Sequence, residues 1–471
     1  MNSWNLSLIK TIINIKKIYN IPEDVIFDYL RIVDLNKVKY EKKVNNTLFF
    51  MTYSTKDDIN NKFIIRPFDY RKKANDIIKN NPNFYFVLDE ETYNNLDLDN
   101  KNAKIIVVDN ILESVDILYN YTLKTKAAKI IGVTGSVGKT TSAGLIENVL
   151  KTKYKVLRIY SKRITPIILK ANIINFLTKE IEYIVLEMSI YKKDHVEILS
   201  DLLKPDIAAL IGIDSSHLEF FNSIDDICKY KSSIFRYAEK GYVNNLDCLV
   251  KNLNIRQNQL YYQDENIYSV KLDKLTPIAV NYIWKDDKLI IDNKQIKLFF
   301  NSELSIIQTL LAYNIGIDNN IDIQSVVDAI SSYVPVENRI QKKNAFGKEI
   351  VFDGDITTNE RIKQLSRHNY EKSYLVIRKF GSAENNKRFE KVLKSLDNFT
   401  KVYVFNDIEY LNMLSSHKNV KIVYNHNFMK DLDGKIIYHY SGYYRSFKEY
   451  NENNLIELEN EIYPIMKPEE K

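Results

Sequence analysis

Residues 129–147 read KIIGVTGSVGKTTSAGLIE, and the rest of the chain is organised around them. Four of the protein's 12 glycines fall between Gly132 and Gly144. The apolar run 130–133 has the character of a buried parallel strand. It leads into a helical pattern in which Ile146, Val149 and Leu150 share one face. Between strand and helix stand Gly135, Ser136, Val137, Gly138, Lys139, Thr140 and Thr141. Strand, glycine turn and helix start together make a loop that cradles phosphate, because glycine lets backbone N–H groups approach the oxygens and the helix start adds a positive dipole end. In that reading Lys139 reaches the β- and γ-phosphates and the Thr140 hydroxyl holds Mg²⁺. The strict pattern G-x-x-x-x-G-K-[ST] needs glycine at position 133, which is Val133 here, so the form is the narrower T-G-x-x-G-K-T-T. A glycine-rich turn that binds nothing is the bland alternative. Against it stands the agreement of strand, loop, Lys-Thr-Thr and helix.

The whole chain has 471 residues, which suggests about three domains. Hydrophobic residues make up 45% and charged residues 27%, a balance that supports a globular protein with ample core. A net charge of +6, from 67 basic and 61 acidic residues, is too mild to imply nucleic acid. Cys228 and Cys248 supply neither a disulfide framework nor zinc spacing, so a reducing cytoplasm is expected. The N-terminal stretch is interrupted by Asn and Lys too often for a signal peptide. No run of 18 apolar residues occurs, so no membrane span is expected.

Taken in order, the chain reads as an α/β protein. Residues 1–125 form a first unit, with strands expected at 48–50, 84–88 and 104–108 and helices at 70–80 and 111–121. Residues 126–334 form a central unit, whose strands at 155–159, 183–186 and 207–213 alternate with helices at 194–203 and 224–238, the pattern of a parallel doubly wound sheet. Residues 266–300 read as an antiparallel appendage, followed by helices at 302–315 and 323–332. Residues 335–471 read as a Rossmann-like unit with strands at 350–352, 374–377, 402–405, 422–424 and 436–440 and a helix at 387–396.

Two further residues sit where such a sheet binds ligands, at the carboxyl ends of strands. Glu187 ends the run Tyr-Ile-Val-Leu-Glu, and His217 follows the 207–213 strand in DIAALIGIDSSHLEFFNS. Either alone is as well explained by a solvated strand end or a helix cap. Joined to the phosphate loop, Glu187, His217 and Thr140 can converge on one hydrated Mg²⁺ or a pair of them.

The segments TGSVGKTTS, VLEMS, KPDIAALIGIDSSHLEFFNSIDDICKYKSSI, YVNNLD and VPVENRIQ, in this order, resemble the Mur ligases. These are three-domain, ATP-dependent, amide-forming ligases of bacterial cell-wall synthesis. The resemblance implies that Lys231, in register after His217, becomes carbamylated and bridges metal ions. It implies that Asn245 and Asp247 lie near the adenine and that Arg339 reaches the γ-phosphate. It also implies that the first domain, around Leu48, holds the UDP end of the substrate. In the branch that adds D-alanyl-D-alanine, the third domain carries Asp-Asp-x-Tyr-Asn-x-Asn-Pro. Here the place reads DGDITTNE, in which Asp353 and Asn359 match and the second Asp, the Tyr, the first Asn and the Pro do not. The family's Gly-His-Asn element is replaced by NSELSIIQ at 301–308, and its acceptor loop is reduced to Arg163-Ile164-Thr165-Pro166. The ATP and metal half therefore matches more closely than the acceptor half.

The implied assignment gives catalytic roles to Lys139, Lys231 and His217. Metal contacts fall to Thr140, Glu187, His217 and Lys231, and nucleotide contacts to the loop with Asn245, Arg339 and Asp353. The reaction would be ATP-driven amide ligation through an acyl phosphate, on a UDP-muramoyl-peptide-like carboxylate and an amino acid or dipeptide, in a cytoplasmic monomer. Two alternatives are a ligase amidating another carboxylate, in capsule or surface glycan synthesis, and a nucleotide-binding relative without turnover.

Overall fold

In the computed structural model, the described residues are 2–33, 46–60, 63, 67–125, 127–160, 164–190, 192–213, 221, 223–243, 259–263, 266–270, 274–277, 282–285, 288–336, 340–345, 348–353, 362–363, 365–379, 389–406 and 411–440. Three larger sheets carry the architecture.

The central sheet is parallel throughout, in the order Lys274–Pro277, Lys240–Val243, Ile207–Leu210, Lys129–Thr134, Tyr183–Glu187, Val156–Ile159. Its strands are apolar on both faces because both are covered. The pleat sorts them residue by residue: Ile130, Ile184, Leu186, Ala208 and Leu210 enter one core, and Ile131, Val133, Val185, Ile207 and Ala209 enter another. The first core runs on into the N-terminal sheet through Phe49, Phe86, Ile106 and Leu118. The second takes in the helices Lys139–Leu150, Glu303–Asp318 and Ile323–Ser331 and continues to Val351, Leu375 and Val402.

The N-terminal sheet runs Ile15–Tyr19, Lys104–Val108, Tyr85–Asp89, Thr47–Phe50, Tyr29–Arg31, antiparallel only at its first pair. It is joined to the central unit by a buried amide. Asn175, on the helix Pro166–Phe176, accepts from the Leu30 N–H at 2.9 Å and donates to the Leu30 carbonyl at 3.0 Å, so its side chain completes an edge strand as another backbone would. The C-terminal sheet runs Gln341–Ala345, Lys348–Asp353, Lys435–Tyr440, Ser373–Lys379, Lys401–Phe405, Val420–Val423, antiparallel only at its first pair.

The strands and helices expected from the sequence are present, with several differences. The edge strands 15–19, 29–31 and 341–345 were not expected. All three are short, and the first and last are rich in Lys and other polar residues, which an edge strand tolerates; Tyr29–Arg31 is buried but only three residues long. The appendage is antiparallel over Tyr282–Lys285, Lys288–Ile291 and Lys294–Lys297, but Lys274–Pro277 leaves it and extends the central sheet in parallel. Pro277 has no N–H to donate, which an edge strand tolerates. Thr165 and Pro166 begin a helix: the Thr165 hydroxyl accepts from the Ile168 N–H at 3.3 Å and proline stands in the first turn. The helix expected over 224–238 is α-helical over Ile224–Ser232 and then tightens to a 3₁₀ turn. No helix among the described residues is long and apolar enough to cross a membrane.

Two histidines of the C-terminal unit, half-buried His368 and buried His426, set an acid response. Burial holds His368 down to about 4, and burial with nearby Arg378 does the same to His426. His368 Nδ1 accepts the Tyr370 N–H at 3.3 Å and Nε2 faces the Ser373 hydroxyl at 2.9 Å, an arrangement that suits the neutral ring. An unfolded histidine titrates near ~6.5. Below that the unfolded chain takes up protons that the folded rings refuse, so stability is full above about pH 6.5 and falls as pH drops toward about 4. Thermal midpoints measured across this range should fall for the native chain and fall less for His368→Gln. A native midpoint that is flat from pH 6.5 to 4.5 would contradict this account.

Candidate functional site

The Lys129–Thr134 strand lies between the two strands that follow it at a distance in the chain. The connection from 129–134 goes outward to 156–159, returns to 183–187, then crosses to 207–210 on the other side. That reversal opens a crevice at the carboxyl end of the central strand, where open α/β sheets place ligands.

The phosphate loop is built into this crevice by hydrogen bonds to both flanking strands. Met188 N–H donates to Val133 O at 2.8 Å and Thr134 Oγ1 to Met188 O at 2.8 Å. On the other side, Ile211 N–H donates to Thr134 O at 3.0 Å and Ser136 N–H to Gly212 O at 2.9 Å. Ser136 thus spends its backbone donor on the scaffold. Gly138 caps the helix Lys139–Leu150 with φ +84°, a left-handed conformation that glycine adopts without steric cost. Its carbonyl accepts the first helical N–H, from Ser142 at 2.9 Å, and also the side-chain amide of Gln308 at 3.0 Å.

Four side chains assigned from sequence come together around this loop. Thr140, buried at the helix start, donates from Oγ1 to Glu187 Oε2 at 2.7 Å. Ser189 donates to the other carboxylate oxygen, Oε1, at 3.3 Å. Lys139 Nζ reaches back to the carbonyls of Gly135 at 3.0 Å and Ser136 at 3.3 Å. Lys231 arrives from the helix Ile224–Ser232, 1% exposed, and donates from Nζ to the same Gly135 carbonyl at 2.9 Å. Burial first, and the neighbouring Lys139 second, push the Lys231 amine well below its ordinary value. Its neighbour Lys229 is only half buried.

Other assigned residues are placed differently or not described. Asp353 ends its strand wholly buried, with Oδ2 at 3.0 Å from His439 Nδ1 on the adjacent parallel strand. Thr141 is buried in the helix and Val137 half buried in the loop. His217, Asn245, Asp247 and Arg339 lie outside the described residues, as does Arg163 of the reduced acceptor loop.

The donors present suit a hard divalent cation. Thr140 and Glu187 offer oxygen only, and Mg²⁺ keeps several waters and asks for one or two protein oxygens. Among the described residues no group of three or more His, Cys, Asp or Glu side chains forms a metal cage.

Two residues of the site were not found by sequence reasoning. Gln308 sits in the NSELSIIQ segment, which the sequence showed only as a departure from a family element. Arg158 donates from Nη2 to Thr140 O at 2.7 Å and pairs through Nη1 with Glu147 at 3.3 Å, bracing the loop helix from the 156–159 strand. Its signal, a charge in an otherwise apolar strand, was present in the sequence and not used.

A family model described as Mur ligase middle domain matches residues 133–312. A UDP-N-acetylmuramoyl-tripeptide--D-alanyl-D-alanine ligase of Rickettsia prowazekii is 30% identical over 174 residues, 36% of this chain and 38% of that protein. The match therefore spans well under half the length of that relative. A crystal structure of MurF from Acinetobacter baumannii superimposes with a TM-score of 0.67 at 13% identity, covering 95% of this chain and 98% of that one. A MurF ligase from Thermotoga maritima in complex with ADP gives 0.62 at 20% identity, covering 85% and 92%.

Gly138 tests the loop's construction. An alanine Cβ there would stand 2.6 Å from Gln308 Nε2 and 3.2 Å from Leu304 Cδ1, on a backbone at φ +84°. The left-handed conformation alone costs about 1–2 kcal/mol with a side chain. Gly138→Ala should lower the thermal midpoint by several degrees, and an unchanged midpoint would count against this packing.

Proposed function

The chain is a divergent member of the Mur ligase family, and from that premise we propose that it is an ATP-dependent, ADP-forming amide ligase that activates a carboxylate as an acyl phosphate. The observation that carries this reading is the meeting of Lys139, Lys231, Thr140 and Glu187 at the carboxyl edge of the central sheet. The most specific form is ligation of an amino acid or dipeptide to a UDP-muramoyl-peptide-like carboxylate in cell-wall synthesis, by a cytoplasmic monomer.

A substrate carboxylate oxygen attacks the γ-phosphorus, ADP leaves, and an amine then attacks the acyl carbon and expels phosphate. No protein nucleophile is required, so catalysis rests on positioning and charge. Lys139 supplies a cation at the loop, with the helix N-terminus behind it. Thr140 and Glu187 are the residues that would hold Mg²⁺, which would neutralise charge where anionic oxygens approach each other. By resemblance Arg339, Asn245 and His217 join the site, and Asp353 belongs to the nucleotide and acceptor side.

Lys231 takes the role of a carbamylated ligand in this reading. A free ammonium would be repelled by a metal ion. Its buried amine, held below its usual value, is the form that combines with CO₂, forming an N–C bond, releasing one proton and leaving an anionic oxygen donor. We assign three domains, 1–125, 126–334 and 335–471, the first for a UDP-sugar end and the third closing over ATP to present the amine.

A second reading keeps the nucleotide half and changes the rest. Asp353, matched to the third-domain element, is fully buried against His439. This favours an altered acceptor side, in a ligase amidating another carboxylate, as in capsule or surface glycan synthesis, or in a relative that binds nucleotide without turnover.

Purified protein offered ATP, Mg²⁺, candidate UDP-muramoyl peptides and amines should release ADP only when carboxylate and amine are both present, with the product identified by mass. Nucleotide binding without ADP release would favour the relative without turnover. Lys139→Ala should abolish ADP release and keep the fold, and native-like turnover in that variant would sink the assignment. Lys231→Ala should lose most activity and regain part of it with short carboxylic acids. Full activity of Lys231→Ala in bicarbonate-free buffer would exclude the carbamate role.

A further inference from the structure

We infer that Gln308 is a positioning residue for the nucleotide, fixing the peptide plane that aims the loop's Lys139 N–H. The inference rests on the nucleotide reading above. It starts from the two hydrogen bonds that converge on Gly138 O, from Ser142 N–H at 2.9 Å and from Gln308 Nε2 at 3.0 Å. A carbonyl has two lone pairs, and both are used. The peptide between Gly138 and Lys139 is trans, as are all the described peptides. In a trans peptide the C=O and N–H point in opposite directions. Pinning the carbonyl against Gln308 therefore turns the Lys139 N–H away from Gln308 and out of the helix core. That N–H is the first orphan donor of the helix, one of those that bind anions at helix starts.

Ser142 alone does not fix this plane, because a first-turn helical bond frays and tilts. Gln308 is suited to fix it because its own helix cannot easily move. The side chain is 2% exposed. The helix Glu303–Asp318 is capped by Ser302, whose hydroxyl accepts the Ser305 N–H at 3.3 Å. Glu303 N–H donates to Arg367 O at 3.1 Å, and Ser302 forms an isolated bridge with His368. Buried Asn301 accepts from Trp284 Nε1 at 2.7 Å. The helix start is thus held by the antiparallel appendage on one side and by the leading segment of the C-terminal unit on the other. Gln308 passes that fixity to the loop through one amide. Gly138 and Gln308 are matched, since any Cβ at 138 would occupy the amide's place.

The test is ADP affinity of the full chain with Mg²⁺, by titration calorimetry from pH 8 to 6, always as a ratio to the native chain. Gln308→Leu removes the donor at similar size and should weaken ADP binding about tenfold, the scale of one neutral hydrogen bond. Gln308→Glu places an anionic oxygen against the Gly138 carbonyl and should weaken binding further at pH 8. Its affinity ratio should recover toward pH 6, because a buried carboxyl protonates early and then donates as the amide did. A structural contact without a positioning role would not produce that recovery. A folded Gln308→Leu that binds ADP within twofold of native overturns the inference. So does a Gln308→Glu ratio that is flat with pH, which decides the matter if the leucine variant does not fold. Loss of fold in both variants would make Gln308 a core-packing residue and overturn it equally. A native chain that binds no ADP would instead refute the nucleotide reading itself.

Discussion

The rest of the structure depends on how one loop is held. Residues 134–138 leave the middle strand of a six-stranded parallel sheet and are bonded to the strands on both sides before the helix begins. A glycine-rich loop loses much conformational entropy on ordering. Here that cost is offset by hydrogen bonds to Met188, Ile211 and Gly212, and by Gln308 behind Gly138. Such a loop is formed before any anion arrives. That matters for binding, because a preorganised site does not have to be ordered by its ligand.

The same sheet also joins the molecule together. Its two faces feed two cores, one continuous with the N-terminal sheet and the other with the C-terminal sheet. The N-terminal contact is further fastened by Asn175 at the Leu30 edge and by the ring of Phe63 stacked at 4.0 Å on buried His195. Breaking a buried amide that makes several hydrogen bonds leaves each partner unsatisfied, which costs about 1–3 kcal/mol per group. The C-terminal contact runs through apolar packing, the Ser302–His368 bridge and the Glu303–Arg367 bond. Apolar packing is less directional than a buried amide. Relative movement is therefore more compatible with the second joint than with the first.

What the sequence made legible follows from how strongly each feature is constrained. The loop and its strands were readable because fully buried parallel strands are apolar runs and the phosphate loop has a fixed order of residue types. Thr140, Glu187, Lys139 and Lys231 could be brought to one place because all four follow from strand ends or from a family register. The edge strands 15–19 and 341–345 were not readable, since an edge needs neither alternation nor burial. The role of Lys274–Pro277 as a sixth central strand is a matter of tertiary pairing, which no local pattern encodes. Gln308 was invisible for a different reason: a glutamine in an apolar helix has no signature until its partner, a backbone carbonyl 170 residues earlier, is known.

The electrostatics of the site can be argued from the two lysines that share one carbonyl. Lys139 and Lys231 both donate to Gly135 O, at 3.0 and 2.9 Å. Two ammonium groups so close would repel, and one of them is almost wholly removed from water. Glu187 offers partial compensation, but its oxygens already accept from Thr140 and Ser189. Burial first, and Lys139 second, push the buried Lys231 amine toward its neutral form. The neutral amine still donates to Gly135 O and keeps a lone pair. Lys139, half-buried at the helix start, stands beside the positive end of the helix dipole. The two lysines therefore differ in environment: Lys139 is half-buried at the helix start, and Lys231 is kept dry behind the same carbonyl.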